Sequence, residues 1–119
     1  MKCLSFNYRG LASNPKKLAL KRLIETKPPD IILLQETLGM ADQISHTLQN
    51  IIPNWSFVAL DVVGRFGGLA IGYNPRSIRV DASWGGSGYL GLDIFSADLG
   101  MILRIVNVYG PCHHREHFW

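Results

Sequence analysis

The sequence predicts an α+β fold, a β-α-β-α opening followed by an antiparallel meander. Three observations predict it. Asn14-Pro15 opens, and Pro28-Pro29 closes, a segment with Leu20, Leu23 and Ile24 gathered on one side, between two short apolar runs. Ala41, Ile44, Leu48 and Ile51 then recur at helical spacing up to Pro53. Beyond Pro53 strand-like runs follow one another, separated only by short turns, which implies hairpins.

Taken in order, residues Lys2 to Tyr8 read as a strand with Cys3, Leu4 and Phe6 as its apolar content, closed by the turn Asn7-Tyr8-Arg9-Gly10. In the first helix Asn14 is the N-cap and Pro15 occupies the first helical position, with Ala19 joining the apolar side. Lys16, Lys17, Lys21, Arg22 and Lys27 fill much of the remainder and read as a solvated face. Ile31 to Leu34 is an uninterrupted apolar run, as expected for a strand buried on both faces. After the second helix, Trp55 to Val63, Gly68 to Tyr73, Ser77 to Ala82, Tyr89 to Ala97 and Met101 to Tyr109 read as strands. Gly67-Gly68, Asn74-Pro75, Gly85-Gly86 and Leu99-Gly100 supply the turns.

A length of 119 residues is that of one domain, spanning 1–119, with no repeat or linker. An apolar fraction of 47% with 18% charged residues excludes a disordered chain. The net charge of +3 permits a polyanionic partner without demanding one. No apolar stretch approaches the ~20 residues of a membrane span, and the N-terminal apolar run is too short for a signal peptide, so the expected location is nuclear or cytoplasmic. Cys3 and Cys112 are far apart and fit reduced thiols better than a disulfide framework.

The buried run ends in Gln35-Glu36-Thr37, which delivers one carboxylate at a strand tip. By spacing alone Glu36 marks the strand's exit into solvent; it is also where a folded domain would hold a metal ligand or a catalytic base. Gly86-Ser87-Gly88-Tyr89-Leu90-Gly91 matches a dinucleotide fingerprint by letter, but strand-like residues follow where a helix is required, so it is rejected. His113-His114-Arg115-Glu116-His117 matches an inverted zinc-protease pattern without a downstream third ligand, and reads as a polar terminus. Trp55, Trp84 and Tyr89 are assigned to core packing rather than base stacking. Tyr109 is equally a packed aromatic or a substrate contact.

The order of four segments is more specific than any one of them. Leu4 to Leu11, Pro29 to Thr37, Gly67 to Ala70 and Asn107 to Pro111 together resemble the endonuclease/exonuclease/phosphatase family. Within it, the likeness is greatest to the abasic-site-type endonuclease domain of plant LINE-type retrotransposons. The resemblance implies the N-terminal half of a four-layer α/β/β/α sandwich of the deoxyribonuclease I-like kind, here one mainly antiparallel sheet with two helices. It implies Mg²⁺-dependent phosphodiester hydrolysis on DNA. Glu36 would be the metal-ligating carboxylate, Asn7 a polar member of the metal and phosphate network, and Tyr109 a phosphate contact. Phe6, Tyr8 and Phe66 stand where close relatives more often carry Trp, Cys and a small residue. The family's later Asp-x-Asn motif and terminal Asp-His pair would lie beyond Trp119, and so would a second inner sheet. The expectation is therefore an inactive fragment with one sheet face uncovered. Completion of the site by dimerisation or a second chain is one alternative, and a non-catalytic interaction module that self-associates through that face is another.

Overall fold

The computed structural model describes residues 1–9, 14–62 and 67–109. In chain order the elements are β1 (Cys3–Asn7), α1 (Asn14–Thr26), β2 (Ile31–Gln35), α2 (Ala41–Ile51), β3 (Ser56–Leu60), β4 (Leu69–Tyr73), β5 (Ile78–Gly86), β6 (Tyr89–Ser96) and β7 (Met101–Val108). The β-α-β-α opening and the antiparallel hairpins are as the sequence predicts. The number of sheets is not: the strands divide into a four-stranded sheet, β1-β2-β4-β3, and a three-stranded sheet, β5-β6-β7.

The division has a local cause. β4 pairs antiparallel with β2 along one edge and with β3 along the other. Both rows of its backbone groups are used, so β5 cannot fold back as a hairpin onto the strand it follows, and it begins a new layer instead. The Asn74–Ser77 turn makes that change of layer and is tied back to the first sheet. The Asn74 N–H donates to the Asp30 carbonyl, and the Ser77 hydroxyl donates to the Asp30 carboxylate at 2.8 Å.

Alternation along the strands then builds two cores. One face of the first sheet presents Ile32, Leu34 and Ala70 to the helices, where they pack with Leu20, Ile24, Ile44, Leu48 and Trp55. The other face presents Ile31, Leu69 and Ile71 to Ile78, Leu90, Leu92 and Ile94 of the second sheet. The result is three layers, helices, sheet and sheet, and the first sheet is covered on both faces. The expected bare face of that sheet, and the absence of a second inner sheet, are thus corrected. What stands open is the outer face of the second sheet, with Ile102 70% exposed beside Val106 and Val108.

Smaller departures follow from the same geometry. Ala19 is exposed, because the stripe that faces the sheet runs through Leu20 and Ile24. β5 extends through the predicted turn at Gly85-Gly86, and the chain reverses at Ser87-Gly88, where Gly88 takes φ +82. The rejected dinucleotide pattern is this hairpin. Trp55 is buried, but Trp84 and Tyr89 lie on the second sheet's outer face, where the Trp84 indole N–H donates to Asp93 and Arg104 stacks over the ring. Cys112, the histidine pattern at 113–117 and Phe66 lie outside the described residues.

Candidate active site at the end of the two sheets

Asn7 ends β1 and Gln35 ends β2; the strands are parallel and these two residues are register partners. β7 runs in the same sense, because its start pairs with Ser96 beside Ile78 and its end brings Asn107 to Leu34 and Gln35. Asn7, Glu36 and Tyr109 are therefore delivered to one end of the layered sheets by three strands. Asn7 is exposed there, and Tyr109 is half-buried against the inter-sheet core.

Glu36 leaves the strand with φ +54, and Leu38 follows with φ +56. Non-glycine residues in this region carry strain of about 1–3 kcal/mol each and persist only where the surroundings hold them. Here Gly67-Gly68 does so: the Thr37 N–H donates to the Gly68 carbonyl and the Leu38 N–H to the Gly67 carbonyl at 2.7 Å. The fit is tight at Gly67 and leaves no room for a side chain at Gly68. A Cβ at residue 67 would stand 3.1 Å from Glu36 Cγ, and one at residue 68 would stand 2.5 Å from Thr37 Oγ1. The close backbone approach at Gly67-Gly68 is what shapes the Glu36 loop. Thr37 is buried, and its hydroxyl has no hydrogen-bond partner among the described residues.

A second device acts from below. The Gln35 amide donates to Asn107 Oδ1 at 2.7 Å and to Ser5 Oγ at 3.1 Å. Asn107 is 1% exposed, and its own amide donates to the Leu34 and Ala70 carbonyls, both at 3.0 Å. Every donor of the two amides is thus satisfied, as burial demands. The network joins β1, β2, β4 and β7 directly beneath Glu36. Sequence reasoning quoted Gln35 and Asn107 within their motifs but gave neither a role; a lone buried Asn on an apolar strand was the available signal.

The Glu36 carboxylate is 19% exposed, and its oxygen Oε2 lies 3.7 Å from the Arg9 Nε. Arg9 itself has φ +44. Above the network the loop runs into α2, whose first N–H, that of Ala41, donates to Asp61 at 2.6 Å and so gains a cap from the β3–β4 connection. Among the described residues no group of three or more His, Cys, Asp or Glu side chains could hold a metal. Glu36 would anchor an ion as its one carboxylate.

The fold is shared with solved structures. A humanised TDP2 from D. rerio matches with TM-score 0.68 at 15% identity, over 89% of this chain and 45% of that one. AP endonuclease LMAP from Leishmania major matches with TM-score 0.66 at 21% identity, over 91% of this chain and 39% of that one. The 3′ phosphatase NExo from Neisseria, bound to a product DNA hairpin, matches with TM-score 0.60 at 23% identity, over 92% and 41%. The chain thus spans less than half the length of these structures. No curated protein is similar enough to match. The sequence from residue 3 to residue 114 matches the family model directly, and on that match the chain belongs to the endonuclease/exonuclease/phosphatase family.

Proposed function

We propose that this chain is the N-terminal part of a Mg²⁺-dependent DNA phosphodiesterase of retrotransposon type, and that it does not turn over by itself. The observation that carries the reading is Glu36, a carboxylate held in a strained backbone conformation at the converging ends of β1, β2 and β7. Enzymes of the family generally use divalent metal ions. The residues present fit such an ion: Mg²⁺ takes hard oxygen ligands, keeps several waters, and is typically held by one or two carboxylates together with substrate phosphate. Glu36 would hold it, with the exposed Asn7 at the end of the neighbouring strand and Gly67 packed close against the glutamate. The bound ion would polarise the scissile phosphate and neutralise charge on the leaving oxygen.

The chain's own residues supply binding and orientation. Asn7 offers its amide to a phosphate oxygen, and Tyr109 contacts the same group from β7. Neither activates water. Among the described residues no cluster of three or more His, Cys, Asp or Glu side chains forms around Glu36, and in this reading the proton-transfer and orientation contributions, each worth orders of magnitude, come from outside the chain. DNA as substrate is supported by the NExo structure, which holds a product DNA hairpin.

The test has two arms. Mn²⁺ binding followed by electron paramagnetic resonance is expected to be lost in Glu36→Ala. Nicking of supercoiled plasmid in Mg²⁺ is expected to be the same for the chain, for Glu36→Ala and in EDTA. Metal binding indifferent to Glu36 would sink the site, and Glu36-dependent nicking would sink the claim of silence.

A second reading is favoured by the outer face of the second sheet, where Ile102, Val106 and Val108 are exposed next to an edge of β7 that no strand pairs among the described residues. Association of two copies there would cover an apolar strip and pair an open edge. Activity rising steeply with protein concentration would support completion of the site in that way.

A further inference from the structure

We propose that Arg9 is the phosphate-binding cation of this site, parked on Glu36 as a counter-ion until a metal displaces it. The inference rests on Glu36 as the metal ligand and adds the group that meets the substrate's charge.

The chain takes trouble to place this residue. Arg9 follows β1 with φ +44, a conformation an arginine adopts only when held. The hold comes from α1. The Lys16 ammonium donates to the Tyr8 carbonyl at 3.2 Å and to the Arg9 carbonyl at 2.8 Å, while the Tyr8 hydroxyl donates back to the Lys16 carbonyl. Lys16, which reads from sequence as part of a solvated face, is therefore a clamp on the Tyr8-Arg9 turn. The turn brings the Arg9 Nε to 3.7 Å from Glu36 Oε2.

The pair is built to come apart. Arg9 is 76% exposed, and an exposed ion pair at that distance is heavily screened. It is also the one contact that the guanidinium makes among the described residues, so its terminal nitrogens keep a planar fork of donors. That fork matches two oxygens of a phosphate. A divalent ion arriving at Glu36 removes the carboxylate's claim on Arg9 and leaves the guanidinium beside the ion, facing a phosphodiester.

The consequence is a pair of effects with opposite sign. Arg9→Gln removes a competitor for Glu36, so Mn²⁺ binding tightens, about threefold or more. The same change removes a phosphate contact, so binding of a short fluorescent DNA duplex in Mn²⁺ weakens, about tenfold, as read by anisotropy. Arg9→Lys keeps the competing charge and loses the fork, so its Mn²⁺ affinity stays near that of the unaltered chain while DNA binding still falls. A merely structural role would move both affinities the same way or neither, and either result overturns the proposal. Glu36→Gln separates the two failures. If it leaves Mn²⁺ affinity unchanged, the metal reading falls and takes this one with it. If it abolishes Mn²⁺ binding while Arg9→Gln does nothing, only the role of Arg9 is lost.

Discussion

Gln35 and Asn107 meet amide to amide at 2.7 Å, 72 residues apart in the chain. Gln35 precedes the candidate ligand Glu36, whereas Asn107 belongs to the last strand of the second sheet. Through this contact and the two bonds from Asn107 to the Leu34 and Ala70 carbonyls, the two sheets are fixed in register at the end that carries Glu36.

Asn107→Leu is expected to destabilise the fold by about 2–4 kcal/mol, since it strands the Gln35 amide and withdraws the donors of two buried carbonyls. Gln35→Ala, at a half-buried position with an accepting partner only, should cost about 1 kcal/mol. Urea unfolding of the two single variants and the double variant would check this. The double should cost less than the sum, because the bond between them can be lost only once.

The adjacent glycines should separate stability from site geometry. Gly68→Ala places a Cβ on Thr37 Oγ1 in a backbone with φ +89, and is expected to lose about 2–3 kcal/mol in chemical denaturation. Gly67→Ala has no such dihedral conflict but presses on Glu36. Its stability loss should be smaller, while Mn²⁺ affinity should fall about tenfold, equivalent to ~1.4 kcal/mol.

Ile102 is 70% exposed on the outer face of the second sheet, so Ile102→Lys should leave the unfolding free energy within about 0.5 kcal/mol of the unaltered chain. If two copies associate through this face, the same change should shift sedimentation velocity profiles towards the monomer. An unchanged profile would place any association elsewhere.

The Asp93 carboxyl sits below the usual carboxylate range because Arg104 hydrogen-bonds to it, with the Trp84 indole adding to the effect against the opposing influence of burial. A depressed native value stabilises the fold above the unfolded-state value of 3.8, and the contribution disappears as pH falls through the lower native value. The stability gap between the unaltered chain and Asp93→Asn should therefore be constant near neutrality and close progressively below about pH 4. Denaturant melts across pH 2–7, of the order set by ordinary carboxylate titration, would show whether it does.

What the sequence made legible is what is local. The helix stops at Pro28-Pro29, the buried run at Ile31–Leu34 and the carboxylate at its tip all follow from neighbours in the chain. The count of sheets was not legible, because it depends on β4 having both edges occupied, one by β2 and one by β3, and no stretch of residues announces that. Trp84 and Tyr89 went to the core because no basic groove accompanies them for base stacking, although alternation along β5 and β6 turns them outward. Asn107 and Lys16 were equally opaque: each acts through a partner fixed by tertiary structure, so their residue types read as a strand polar and a helix surface charge.

The reach of Asn107 also sets an order of assembly. Every described strand of the first sheet lies between Cys3 and Tyr73, so these strands and the two helices can close before β5 to β7 have been synthesised. The bonds beneath Glu36 need β7, which emerges after all of these. On a translating ribosome the first sheet would form before the bonds beneath Glu36, which would stay unset until β7 docked.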